Sequence, residues 1–215
     1  MVDASKRLAM PIGEAMYTQR SIRRLRPDPI PVDDLRLILE AATKAPNGGN
    51  AQPARFLVLT DRAIIKEFGA LYREAWWAKR RDEGRAWTTR EEIPAEERSY
   101  SAAARLADEI TEAPCIVLAF APRQGQASSI IPAVQNLMLA ARALGIGSVP
   151  TTLHPQVMER VNALLGVPDG AEFHLCIPLG YPRGRFGPTQ RRPVSEVTFL
   201  DHWGEVPPWA TPTVD

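Results

Sequence analysis

The sequence predicts an α/β or α+β sandwich, and three observations lead there. Short apolar runs suited to buried strands recur along the chain, as in "RFLVLT", "CIVLAFA" and "EFHLCIPLGY". Between them lie longer stretches in which apolar residues return every three or four positions, the period of a helix face. The 215 residues show no internal repeat and no change in composition that would split them, so they are read as a single domain covering 1–215. Strands that alternate with helices bury their apolar faces as stacked layers around one core.

The elements follow in order. Residues 12–19 read as the end of a first helix and lead into the basic turn "QRSIRRLRPDPIP", which Pro27, Pro29 and Pro31 keep extended. Leu35, Ile38, Leu39 and Ala42 mark a helix whose first turn carries Asp33 and Asp34, favourable at the positive end of its dipole. After the strand "RFLVLT", Asp61 is placed to cap a long helix bearing Ile64, Ile65, Phe68, Leu71, Tyr72, Ala75 and Trp76. From Lys79 to Arg98 twelve of twenty residues are charged, so residues 79–98 are predicted as a surface excursion outside the core, with Trp87 and Ile93 as its large apolar members. Helix "SYSAAARLADEITEA" and strand "CIVLAFA" come next. Helix "SSIIPAVQNLMLAARALG" follows, with Ser128 or Ser129 as cap and Pro132 in the first turn. Its apolar residues run nearly all round, which predicts burial on more than one side, in the domain or against a second subunit. "IGSVPTT" reads as strand and turn, "PQVMERVNALLG" as a helix from proline to glycine, and "EFHLCIPLGY" as a last strand. The segment 182–215 is rich in proline yet holds Phe186, Phe199, Trp203 and Trp209, and is predicted to be an extended arm packed on a partner subunit.

Composition excludes several classes. Hydrophobic content of 45% and charged content of 24% are those of an ordinary globular chain. A net charge of +1 gives no field to attract nucleic acid or an anionic membrane. No apolar run is long enough to span a bilayer, and the charged start broken by Pro11 does not suit a signal peptide. Cys115 and Cys176 sit in apolar strands without metal-ligand spacing, so they are expected as reduced core residues of a cytoplasmic protein. His154, His174 and His202 show neither metal spacing nor a neighbouring nucleophile motif, and His174 is expected as a satisfied strand residue. No metal site is expected.

Three pieces remain that ordinary connections do not need. "KAPNGGNAQPARFLVLT" places Pro46, Asn47, Gly48, Gly49, Asn50, Gln52 and Pro53 ahead of a strand. Glycine and amide groups there can bring backbone N–H donors against a flat polar ligand. "QRSIRR" offers Arg20, Ser21 and Arg23, and "QRRPV" offers Arg191 and Arg192 far downstream. Guanidinium groups present paired donors to anionic oxygens, so a fold that joined the two clusters would clamp a phosphate. Either cluster alone is also what a solvated helix end looks like.

These stretches, with "AVQNLMLAARALGIGSVPTT", "LLGVPDG", "CIPLGYP" and "RRPVSEV", resemble in correct order the FMN-dependent nitroreductase family over residues 12–204. The resemblance implies an α+β three-layer sandwich, a central mixed and mostly antiparallel sheet flanked by helices, and an intertwined homodimer. It implies FMN as cofactor and NADH or NADPH as electron donor. Arg20 and Ser21 would then meet the FMN phosphate with Arg191, and Arg23 would lie at the flavin N1–C2=O edge, where a cation stabilises reduced flavin. Gln19 stands where many relatives carry a further basic residue, which places more of the phosphate neutralisation on Arg191. Pro46, Asn47, Gly48, Asn50 and Gln52 would touch the flavin from the other subunit. Pro150, Thr151 and Thr152 would lie near flavin N5 and O4. No protein nucleophile is then needed, because the cofactor carries the reaction.

The expected activity is ping-pong transfer of reducing equivalents to a small electrophilic acceptor such as a nitroaromatic or a quinone, with 79–98 as a lid and Trp87 as a substrate contact. Reductive dehalogenation and oxygen-dependent flavin cleavage are alternatives on the same scaffold, and an FMN-sequestering or redox-sensing protein is the non-catalytic one. A nucleic-acid module is disfavoured, since basic and aromatic residues are not clustered.

Overall fold

A computed structural model describes residues 4–210. In chain order its helices and strands are α1 (Ala4–Arg7), α2 (Ile12–Thr18), α3 (Val32–Thr43), β1 (Arg55–Leu59), α4 (Arg62–Asp82), α5 (Arg98–Glu109), β2 (Cys115–Ala121), α6 (Ala127–Ala143), β3 (Gly147–Ser148), α7 (Pro155–Leu165) and β4 (Glu172–Gly180). The strands form one sheet in the order β1-β2-β4-β3, and each neighbouring pair is antiparallel. A parallel bridge, Ser21 to Ser148, adds the N-terminal segment to the β3 edge.

Strand β2 sits in the middle because every one of its seven residues is apolar enough to be buried. Successive side chains of a strand point to opposite faces. Cys115, Val117 and Ala119 therefore pack with Ile38 of α3 and Val134 and Leu137 of α6. Ile116, Leu118 and Phe120 pack on the other face with Phe68 of α4, Leu106 of α5 and Val157 of α7. The result is the three-layer α+β arrangement that the sequence predicts. Burying a side chain such as Phe68 completely contributes about 1.5–3 kcal/mol.

Most local signals act as the sequence indicates. The Asp61 carboxylate accepts hydrogen bonds from the N–H groups of Ala63 and Ile64 at 2.8 and 3.1 Å, starting α4. Helix α7 opens with Pro155 and stops at Gly166, whose φ of +63° is open to glycine without strain. Asp34 is buried and ion-paired with Arg7, so its place in α3 is fixed by more than the helix dipole.

Three details differ. Helix α6 begins at Ala127 after Gln126 and has no side-chain cap; the Ser129 hydroxyl instead accepts the Gly48 N–H at 3.2 Å. Pro132 consequently stands inside the helix, past its first turn. His174 lies where the β2–β4 register slips: Ala119 faces Leu175 and Phe120 faces Phe173, leaving His174 unpaired in a bulge. Its buried Nε2 lies 3.3 Å from the Glu172 carboxylate yet makes no aligned hydrogen bond, so it is not a satisfied strand residue. Finally, 79–98 is not wholly surface. Its first four residues continue α4, Arg80 is buried between the rings of Trp76 and Tyr100, and Ile93 is only 7% exposed in the α4–α5 core. The aliphatic and planar parts of such residues pack even where the local charge is high.

Gly147 is a tight point. A Cβ built there would come within 2.8 Å of Ile22 Cγ2, and Ile22 anchors the N-terminal basic segment. Gly147→Ala should lower unfolding stability by about 1–3 kcal/mol, as for an overpacked core, in urea denaturation. A variant of unchanged stability would show that the segment yields at no cost.

Candidate functional site

The basic segment is an added edge to the sheet. Ile22 N–H donates to the Ser148 carbonyl at 2.9 Å, Arg26 N–H to the Tyr181 carbonyl at 2.8 Å, and Arg183 N–H to the Arg24 carbonyl at 2.9 Å. Ile22 and Leu25 face inward and are buried, which leaves Arg20, Ser21 and Arg23 along the outer course of the strand. The tail crosses beside them: Thr189 N–H donates to the Tyr17 carbonyl at 3.0 Å at the end of α2. Arg20, Ser21, Arg23, Thr189 and Arg191 thereby line one cavity of about 530 Å³.

No carboxylate lines that cavity. Arg191 uses Nη1 only on the neighbouring Gln190 carbonyl, at 2.8 Å. Burial lowers the pKa of Arg23, and the charge of Arg20 lowers it further, so both favour a compensating anion. The two clusters separated by most of the chain are joined. Arg192 is not among the lining residues.

Behind this cradle runs a polar network against the middle of β4. Thr151 exchanges backbone hydrogen bonds with Cys176, both at 2.8 Å, and its hydroxyl donates to the Cys176 carbonyl at 3.3 Å. The Tyr72 phenol hydrogen-bonds the Thr151 side chain, and burial raises its pKa, so it stays protonated. Burial likewise pushes the Cys176 thiol up to about 12. Lys79 Nζ donates to the Thr152 carbonyl at 2.6 Å and to its hydroxyl. Burial, and then the neighbouring Arg80, bring this amine down to about 8. Tyr72 and Lys79 thus hold the Pro150–Thr152 turn from the α4 side, next to Arg23.

Other predicted residues lie apart. Asn47 and Gln52 line a separate cavity of about 240 Å³ beside Ser129 and Ala133 of α6. The loop is strained there: Gly49, Asn50 and Gln52 have φ of +58°, +53° and +48°, two of them without glycine's freedom. Asn47 Oδ1 accepts the Gln52 N–H at 2.8 Å, which locks the turn. Trp87 packs edge-on against Tyr100, centroids 5.5 Å apart, and lines a third cavity with Trp77 and Arg81. A single chain brings neither the loop nor Trp87 to the Arg20 cradle. It does bring Ile93, Pro94 and Ala95 against Arg20–Arg24.

Comparison with known proteins resolves the class and then the family. The chain is similar to oxidoreductases: it is 34% identical over 205 residues to the NADH dehydrogenase of Thermus thermophilus, covering 86% of this chain and 93% of that protein. A model of the Nitroreductase family matches residues 16–181, and the chain belongs to that family. Two solved structures share the fold. The FMN-dependent nitroreductase NfnB from Mycobacterium smegmatis in complex with NADPH aligns with a TM-score of 0.70 at 23% identity, over 91% of this chain and 100% of that one. An oxidised iodotyrosine deiodinase bound to FMN and 3-iodo-L-tyrosine aligns at 0.69 and 24%, over 90% and 99%. Among the described residues, no helix is long and apolar enough to cross a membrane.

Sequence reasoning missed Tyr72 and Lys79. Tyr72 occupies an apolar helix position, and the available signal was that a buried phenol needs a partner for its hydroxyl. Lys79 leads a charged run, which conceals a single amine turned inward.

Lys79 makes stability pH-dependent in a definite direction. Between its folded value of about 8 and its ordinary value of 10.5, the unfolded chain holds a proton that the folded chain has released. Stability from this group therefore rises with pH across that window and is lowest below it, where burial penalises the charged amine in full. The difference in urea-unfolding free energy between wild type and Lys79→Met should climb from pH 8 to pH 10.5. A difference that stays flat would place the amine in water.

Proposed function

We propose that the cradle of Arg20, Ser21, Arg23 and Arg191 holds FMN, and that the protein passes reducing equivalents from NADH or NADPH to a small electrophilic acceptor, a nitroaromatic or a quinone. One observation carries this reading: two basic segments far apart in the chain line one carboxylate-free cavity about 530 Å³ in volume. A phosphomonoester carries roughly −1.5 to −2 charge near neutral pH, which Arg20 and Arg191 can match with paired donors. The family, and the FMN and NADPH held by the two structural neighbours, support the choice of cofactor and donor.

Each residue then has a task. Arg20, Ser21 and Arg191 bind the phosphate. Arg23 is half-buried without a carboxylate partner and supplies positive charge where negative charge develops at the ring edge. Pro150, Thr151 and Thr152, held by Tyr72 and Lys79, fix the edge beside it. The flavin, when bound, supplies the hydride-accepting chemistry.

Pro46, Asn47, Gly48, Asn50 and Gln52 lie away from the cradle of their own chain, which suits a site completed by a second copy. Exposed Ile12, Met16 and Tyr17 on α2, Ile131 on α6, and Trp203, 91% exposed, are the apolar surface such a homodimer would cover. An obligate interface would bury more than about 2,000 Å² in total. The part of 79–98 outside the core, with Trp87, lies away from its own cradle and would cover a flavin face only in a site completed by a second copy, and the two buried free cysteines suit a reducing cytoplasm. The likeness to the deiodinase keeps reductive dehalogenation as a second chemistry on the same site.

The purified protein should be yellow with about one FMN per subunit. Arg20→Ala and Arg191→Ala should each weaken FMN by roughly tenfold or more, the effect of a lost charge-assisted hydrogen bond, with little change for riboflavin, which lacks the phosphate. Equal losses for both flavins in fluorescence titrations would remove the phosphate assignment.

Varying NAD(P)H and a quinone together should give parallel double-reciprocal lines, because donor and acceptor must occupy the same space over the ring in turn. Intersecting lines would refute the shared space, and no oxidation of either nicotinamide would favour an FMN-sequestering protein.

A further inference from the structure

A second cavity of about 520 Å³ adjoins the cradle and shares Arg20, Ser21 and Arg23 with it. Its other cations are Arg24 from the N-terminal segment, Arg98 and Arg105 from α5, and Arg185 from the tail. No Asp or Glu lines it. Arg98, Ser101 and Arg105 stand at i, i+3 and i+7, so one face of α5 is turned to the cavity. The same cavity is also lined by Ile22 and by Ile93, Pro94 and Ala95, the segment that leads into α5.

The pattern of pairing sets these arginines apart. Nearby arginines of the same layer are matched: Arg73 to Asp108 at 2.8 Å, Arg85 to Glu97 at 3.6 Å and Arg90 to Asp108 at 3.8 Å. Among the described residues, the side chains of Arg24, Arg98, Arg105 and Arg185 make no ion pair and no hydrogen bond. An FMN phosphate of roughly −2 is already answered by Arg20 and Arg191. Four further guanidinium groups, three exposed and Arg105 half-buried, therefore face one space with no carboxylate to meet them.

We propose that this cavity binds the carboxylate of the electron acceptor, which makes small aromatic carboxylates the preferred substrate class. The carboxylate meets Arg98 and Arg105, with Arg24 and Arg185 adding to the field. The ring lies on Ile93, Pro94 and Ala95. The volume is that of a site for a small organic molecule. An apolar wall directly beside the cations suits a ring with an attached carboxylate. A nicotinamide dinucleotide has its diphosphate between two polar riboses and offers no apolar face next to its charge.

The preference for acceptors rests on the function proposed above, whereas binding of the carboxylate does not require flavin. The test compares 4-nitrobenzoate with methyl 4-nitrobenzoate, by calorimetry on the protein as purified and as acceptors with NADH and NADPH. Wild type should bind the acid at least tenfold more tightly than the ester. Arg98→Gln/Arg105→Gln should weaken the acid by roughly 10- to 100-fold and abolish the discrimination, while FMN affinity stays within twofold of wild type. Equal binding of acid and ester by wild type would overturn the proposal. So would a double variant that loses FMN in parallel with the acid, which would assign these arginines to the cofactor. A rise confined to the KM of the nicotinamide would assign them to the donor's diphosphate and also overturn it. If the protein binds no FMN at all, the proposed function falls, and the calorimetric preference for acid over ester still decides the carboxylate site.

Discussion

The extended run from Arg20 to Arg26 must lie flat against the ends of β3 and β4, and the site depends on that fit. Its hydrogen bonds to Ser148, Tyr181 and Arg183 fix the height of the strand, and Ile22 seated against Gly147 fixes how closely it approaches. A second contact sets the same register: a Cβ on Gly180 would stand 3.1 Å from Leu25 and 2.9 Å from Pro114. With the inward positions taken by Ile22 and Leu25, the arginines have no choice of side. A one-residue slip would turn the arginines into the core, where an unpaired charge costs several kcal/mol.

Electrostatics then follows from what is left out. The chain has nearly equal numbers of acidic and basic residues, 25 and 26, so a carboxylate-free region cannot come from overall composition. The acids are spent elsewhere in the same layer, on Arg73, Arg85, Arg90 and Arg160. Exposed pairs of that kind contribute little to stability, about 0–1 kcal/mol each. Their larger consequence is spatial, because the carboxylates they occupy are not available to line the two cavities that flank Arg20–Arg24.

The layers themselves were legible. The unbroken apolar run "CIVLAFA", the Asp61 cap and the proline-to-glycine span of α7 are local signals that tertiary packing did not override. The basic clusters at Arg20–Arg23 and Arg191 were legible as chemistry, but their meeting was not, since it depends on Thr189 bonding to Tyr17 across the tail. The excursion at 79–98 was misjudged at Arg80 and Ile93 because charge density was taken to mean exposure. Arg80 is buried by stacking on Trp76 and Tyr100, with centroids 4.8 and 5.1 Å away, a solution no linear pattern displays. The unpaired arginines of α5 were invisible for the opposite reason: a basic residue on a helix looks the same in sequence whether a carboxylate meets it or not.

Helix α4 ties these features together. Its buried face carries Phe68 and Trp76 for the core, and the same face carries Tyr72 toward Thr151. One turn past Trp76, Arg80 stacks on Tyr100 of α5, while Lys79 reaches the turn after β3. The helix that fills the α4–α5–α7 layer therefore also sets the position of the Pro150–Thr152 edge relative to α5. Since α5 carries Arg98 and Arg105, the separation between the Pro150–Thr152 edge and the second cavity is fixed by core packing. Loop flexibility does not set it. Close packing transmits small changes in volume, so substitutions at Trp76 or Tyr100 reach both the Pro150–Thr152 edge and the cavity face of α5 without touching either cavity's charges.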